Sequence, residues 1–416
     1  MPNDIGELRK ARAKRIEDAV HLRKPDRVPF APYFSFFPAK YAGISCEEYM
    51  HDYDKMREAA RKTILAFEPD QYLNPYGLFG LGPVMEILDF KQLKWPGHGV
   101  SPDHTYQFVE SELIKADEYD AYLFDPTDFM LRSYLPRICG ALDGLKMLPN
   151  LPTQYYLRIP RSAAVFGIPE VAETLKTLLK AGEEGQKWAA KAGEFANEMN
   201  ELGFPHMFGG TAYAPFDYFG DNFRGTKGIM LDMYRHPDKL VKAMEKVLPI
   251  LAQSTITDAK RTGIPYIFMP LHKGLDGFMS LDQFKTFYWP TLRDLMMEFI
   301  KNDLVPCPLW EGRCDSRLEI IKNIPAGKAI YHFERTDIFK AKKILGDRVC
   351  IRGNVPPSLL ATGTSEQVRD YCKKLIDVVG KDGGFIMDGA IGVPDEAKPE
   401  NLKAMEVTTK DYGVYR

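Results

Sequence analysis

Short apolar runs alternate with helix-length amphipathic stretches through the second half of the chain, and this rhythm restricts the possible folds severely. The runs cover residues 264–271 (IPYIFMPL), 304–310 (LVPCPLW), 328–333 (KAIYHF), 349–353 (VCIRG) and 384–388 (GFIMD). Each is strand-length and apolar on both faces, as a strand covered on both sides must be. Between them lie helical stretches at 281–302, 316–323, 337–345 and 365–379, and another begins at Pro399. Strand, helix, strand at this interval builds βαβ units and a parallel sheet.

Three more strands are expected at 28–34, 70–73 and 206–211, which makes eight, and a helix at 47–67 follows the first. The expectation is an α/β fold, a (β/α)8 TIM-type barrel forming a single domain over residues 1–416. An open doubly wound sheet competes, but no G-x-G-x-x-G turn opens a helix. Residues 76–204 are too long for one crossover and are expected to form a cap insertion. Within them 171–199 carries one apolar helical face, while the Pro-, Tyr- and Asp-rich part before it suggests a hairpin over one barrel end.

Charge and cysteine usage narrow the function. The net charge is −2, from 55 basic and 57 acidic residues, which offers nucleic acid or a membrane surface no attraction. No run approaches the length of a membrane helix, and the charged, amphipathic N-terminus lacks a signal-peptide core. A cytoplasmic protein is expected, with a homodimer left open. Six scattered cysteines without a C-x-x-C pair argue against a disulfide framework or a four-thiolate zinc site.

Barrel sites are built at the C-terminal ends of strands. Those ends carry Tyr33, Ser35, Asn74, Thr211, His272, Glu311, His332, Asn354 and Asp388. Two imidazoles and two carboxylates on late strands could hold a divalent metal or serve as acid and base. Taken singly, each has a structural role open to it: Glu311 and Asp388 could cap helices. The segment 30–41 (FAPYFSFFPAKY) is the first strand and an apolar loop, and Tyr33, Phe34, Phe36 and Phe37 could line a pocket for a flat ligand.

The run GDRVCIRGNVPPSLLATGTSEQV, followed by GGFIMDGAIGVPDEAKPENLKAM, resembles the uroporphyrinogen decarboxylase superfamily. So does the N-terminal KPDRVPF with its later Gly-Ile-Ser turn at Gly43–Ser45. The resemblance implies a barrel with its site at the strand C-termini and one of two chemistries. Porphyrinogen decarboxylation in this superfamily is associated with an arginine-rich N-terminal loop. Here no arginine lies between Arg27 and Arg57, which leaves a many-carboxylate substrate without bidentate partners. Corrinoid-linked methyl transfer is the other branch. Its thiolate-zinc pattern is missing: the matching segments read PLWEGR and MDGAIG, with Ala390 where the last Cys would stand.

Similar ether demethylases use a Glu, twenty residues, then His, which Glu311 and His332 match. The further Glu of that pattern falls on Met296, so His272 is taken as the third zinc ligand. The resemblance therefore implies a methyltransferase moving a methyl group from a small O-methyl aromatic substrate to the cobalt of a corrinoid partner protein's cobalamin. Zinc would sit on His272, Glu311 and His332. Glu311, Asp388 and Tyr33 are the catalytic candidates. Tyr33, Phe34, Phe36, Phe37 and Asn354 are the substrate-binding candidates. Cys314, near Arg313 and Arg317, is a rival methyl acceptor if these lower its pKa. A decarboxylase of a small aromatic or tetrapyrrole acid and a non-catalytic binding barrel are the alternatives.

Overall fold

The structure, a computed structural model, describes residues 5–415. Its main sheet has six parallel strands in chain order: Gly210–Thr211, Tyr266–Leu271, Val305–Trp310, Ile330–Phe333, Cys350–Arg352 and Phe385–Ile386. Two extended segments close it into a barrel. Phe30 bridges Met387 in parallel, the Asp70 amide donates to the Phe30 carbonyl at 2.7 Å, and Tyr72 bridges His206 in parallel. All eight expected strand regions are thus in the barrel wall. The apolar runs exist because one face of each strand fills the barrel while the other packs under the outer helices.

Among those helices are Pro237–Thr262, Trp289–Lys301, Ile338–Leu345, Ser365–Leu375 and Pro399–Asp411. Their starts follow local chemistry. Asp337 accepts hydrogen bonds from the amides of Phe339 and Lys340, and Thr364 forms a reciprocal capping box with Gln367, which satisfies amides that have no partner within the helix.

Two expectations for the first half need correction. The single helix expected over 47–67 is two, Cys46–His51 and Tyr53–Phe67. Asp52 breaks it, because its extended backbone lets its carboxylate cap the amides of Asp54 and Lys55. The apolar loop expected after the first strand coils into a helix, Phe37–Ala42, closed by left-handed Gly43. Ser45 then opens the next helix with a capping box to Glu48, which accounts for the Gly-Ile-Ser turn.

The KPDRVPF motif is a clamp at the start of the barrel. Fully buried Asp70 accepts from Arg15 at 2.5 Å, from both Arg27 terminal nitrogens at 2.8 and 2.9 Å, and from the Phe30 amide at 2.8 Å. Asp26 holds the other side of Arg15. The first helix and the first two strands are locked by one carboxylate whose acceptor sites are filled.

Residues 76–204 contain short helices, a parallel and an antiparallel pairing around Leu93–Pro96, and the 33-residue helix Pro169–Glu201. That helix sets Phe195 and Met199 into a core with Tyr49, Tyr72 and Tyr76, separate from the main core under the later helices. No helix among the described residues is long and apolar enough to cross a membrane.

Candidate active site at the barrel mouth

His272 follows the strand Tyr266–Leu271, and Glu311 follows Val305–Trp310, its neighbour in the sheet. Adjacent parallel strands in register bring their next residues side by side, and His272 Nε2 lies 3.4 Å from Glu311 Oε1. His272 Nδ1–H donates to Asp221 Oδ2 at 2.6 Å. This bond fixes the ring and leaves Nε2 for the opening. The two side chains are 33% and 28% exposed, so the pair faces solvent at the strand C-termini.

Burial works against charging His272. The carboxylates of Asp221 and Glu311 outweigh it and push the imidazole up to about 11, so the ring is an imidazolium at neutral pH. Burial would also raise Asp221, but the His272 hydrogen bond and the Lys273 charge hold it below the ordinary carboxylate range. Lys273 Nζ reaches Asp221 Oδ1 at 2.8 Å. Gly220 makes room for this, since a Cβ there would press on the Lys273 chain.

Beneath lies fully buried Asp217, which accepts from the backbone amides of His272 and Lys273, both at 3.0 Å, and from the Tyr288 hydroxyl at 2.5 Å. Burial first, and the Asp221 charge second, push its carboxyl up to about 7. Asp217 and Asp221 come from consecutive turns, Pro215–Phe219 and a π-helical turn at Gly220–Arg224.

Tyr33, Tyr106 and Tyr213 surround the same opening. Burial raises each phenol above its ordinary value, and Glu311 adds to the shift in all three. Tyr213 meets the His272 ring edge-on at 6.2 Å, and Tyr33 stacks on Phe268 at 5.9 Å. The Tyr33 amide donates to Asp388 at 3.1 Å.

Asp388 and His332 lie together below that opening, 3.9 Å apart. Asp388 is fully buried and bound to Arg352 at 2.8 Å and to the Gly389 amide at 2.6 Å. His332 donates Nε2–H to the Gly389 carbonyl at 2.8 Å, and burial lowers its pKa to about 4. That proton leaves only Nδ1 with a lone pair, on a ring that is buried. Register supplies the reason: His332 pairs with Leu309, two residues before Glu311, which sets it roughly 7 Å deeper at 3.3 Å per residue.

The three expected zinc ligands are therefore not assembled. Among the described residues the one group of His, Cys, Asp or Glu ligand atoms that closes within 4.8 Å is away from the mouth. The residues at the mouth do not fit a three-ligand zinc.

Phe34 and Phe37 stack on each other at 5.7 Å and pack on Phe67, and Phe36 packs edge-on against Phe79. All three are core residues rather than pocket walls. Asn354 spends its amide on the Glu334 and Thr336 carbonyls and the Tyr371 hydroxyl. Cys314 is buried, and burial pushes its thiol up to about 12 despite Arg317, so the expected lowering by arginine does not occur. All six cysteines are free and buried. Asp217, Asp221, Lys273, Tyr106 and Tyr213 were not foreseen. The one local signal for the aspartates is their four-residue spacing just past a strand, which sets them on one helical face.

Ionisable groups gathered at the strand ends of a closed parallel barrel define an α/β-barrel enzyme. A family described as "Uroporphyrinogen decarboxylase (URO-D)" matches residues 186–412, a stretch that holds every barrel strand from Gly210–Thr211 onward. The chain belongs to the uroporphyrinogen decarboxylase family. It is 25% identical over 263 residues to a uroporphyrinogen decarboxylase of Chlorobium phaeobacteroides, covering 59% of this chain and 68% of that one. To the uroporphyrinogen decarboxylase of Chlorobium phaeovibrioides it is 25% identical over 284 residues, covering 64% and 72%. A solved structure, a methyltransferase from Methanosarcina mazei, shares the fold at a TM-score of 0.62 and 14% identity, over 96% of this chain and 98% of that one.

Proposed function

We propose that the chain is a methyltransferase that moves the methyl group of a small O-methyl aromatic compound to the cobalt of a corrinoid protein docked at the barrel mouth. The observation that carries the reading is the placing of His272 at the strand ends, a third exposed, with Nδ1 on Asp221 and Nε2 beside Glu311. Breaking an aryl methyl ether leaves the electron pair of the C–O bond on oxygen. A phenolate titrates near 10, so an imidazolium at about 11 is a matched proton donor.

In this reading His272 gives its Nε2 proton to the leaving oxygen and regains one from solvent, while Asp221 keeps the ring oriented through both states. Tyr33, Tyr106 and Tyr213 hold the aryl ring and exclude water from it. The reduced cobalt supplied by the partner would be the nucleophile that accepts the methyl group. No step is assigned to zinc at the mouth.

The test combines the purified chain, a reduced corrinoid protein and a panel of methoxyarenes, with methyl transfer followed by the cobalt absorption. His272→Gln should lower kcat by about 10²–10⁴-fold, the usual loss on removing a general acid. Unchanged turnover in this variant sinks the reading. The names of the Chlorobium relatives favour a second reading, decarboxylation of a small aromatic or tetrapyrrole acid. Release of carbon dioxide without any corrinoid protein would decide for it.

A further inference from the structure

Away from the mouth, three side chains from three separate elements converge. His51 ends the helix Cys46–His51, Glu86 lies on the helix Gly82–Leu88, and His98 sits in the turn between Leu93–Pro96 and Gly99–Val100. His51 Nε2 and His98 Nε2 lie 2.8 and 2.7 Å from the same oxygen, Glu86 Oε1. We propose that these residues bind one divalent transition-metal ion, zinc foremost, which pins the turn to the two helices.

The ring of His51 carries the argument. Its Nδ1 faces the Glu47 carbonyl at 3.0 Å, and a carbonyl only accepts, so Nδ1 bears the proton. With the proton on Nδ1, Nε2 is the nitrogen left to hold a metal, the tautomer of a metal-bound histidine with a backbone carbonyl behind it. Nε2 is buried and makes no hydrogen bond among the described residues. It lies 2.8 Å from a carboxylate oxygen without being aligned to donate to it, so the nitrogen and the oxygen converge as two ligand atoms would.

The remaining geometry keeps the donors in place and the space between them clear. Trp95 stacks on the His98 ring at 4.9 Å, and the two imidazoles lie 5.8 Å apart and nearly parallel. Gly97 holds the turn at φ +80°, where a side chain would strike the Glu47 carboxylate, and a Cβ on Gly82 would lie 2.6 Å from His51 Nε2. Two imidazoles and one carboxylate suit zinc and leave a fourth position for water. Donors about 2.0–2.1 Å from a tetrahedral ion sit roughly 3.3 Å apart, so each imidazole nitrogen, now 2.8 or 2.7 Å from the Glu86 oxygen, would move off it by about half an ångström.

The experiment uses the full, untagged chain, stripped with chelator and titrated with zinc chloride against a chromogenic chelator. The expected result is one tight equivalent, a raised melting temperature with zinc, and a visible d–d band when cobalt(II) replaces it. His98→Ala and Glu86→Gln, both at exposed side chains, should keep the unliganded circular dichroism spectrum. Each should weaken zinc binding at least tenfold and lose the zinc-dependent rise in melting temperature. His272→Gln should keep the equivalent. Absence of a tight equivalent in the unmodified chain overturns the proposal. So does undiminished binding in both the His98 and Glu86 variants, or loss of the ion in His272→Gln alone.

Discussion

Replacing Asp221 by asparagine removes one charge from the mouth and little else, because the amide oxygen can still accept the His272 Nδ1 proton. In the unmodified chain His272 is held charged by Asp221 at 2.6 Å and Glu311 at 3.4 Å. A hydrogen bond to a charged group contributes about 1.5–3 kcal/mol, and the His272 side chain is a third exposed, so the lower half of that range applies. At 1.36 kcal/mol per pH unit, the imidazole should titrate about 1–2 units lower, near 9–10 rather than about 11. Because the folded value lies above the unfolded one, the ion pair stabilises the fold fully below about 6.5 and loses that contribution as pH rises through about 11. Asp221→Asn should therefore be less stable than its parent at pH 6 and at pH 8 alike, by a margin that closes only as pH rises toward about 11. The imidazole carbon resonances of labelled protein follow the titration directly, and the pH dependence of kcat follows it under the proposed reaction. At pH 7 both proteins keep the imidazolium, whereas the variant alone should show a falling limb by pH 10. A His272 ring that titrates near 6.5 in the unmodified chain, or one that the substitution does not move, would refute the reasoning.

Asp70→Asn leaves Arg15 and Arg27 facing one another without the buried carboxylate between them, and should destabilise the fold by about 3–5 kcal/mol. Urea unfolding measures this, and a loss below about 1 kcal/mol would remove the clamp from the account. Asp217 should titrate near 7 in carbon-13 spectra of its labelled carboxyl. Its raised folded value means that its contribution to stability is complete below about 3.8 and lost as pH rises through about 7. A carboxyl resonance already ionised at pH 5 would contradict its burial between Asp221 and Tyr288.

The amino-acid sequence alone determined the barrel, since strand-length runs such as IPYIFMPL and LVPCPLW are apolar on both faces only when both faces are covered. It also determined that His272 and Glu311 stand at neighbouring strand ends, because chain order and sheet order coincide in this wall. Tertiary structure alone decided how deep each residue sits and what it touches. The twenty-residue spacing from Glu311 to His332 matched an expected ligand pattern, yet the register lowered His332 to the level of Leu309 and turned its Nε2 proton to Gly389. Spacing along a chain does not specify stagger between strands. Tyr106 reaches the same opening as Tyr213 and Asp221 from a segment far earlier in the chain, and the His51–Glu86–His98 group gathers across 48 residues of helix, loop and turn. No local periodicity encodes such meetings, because they are set by how the elements pack and not by the elements themselves.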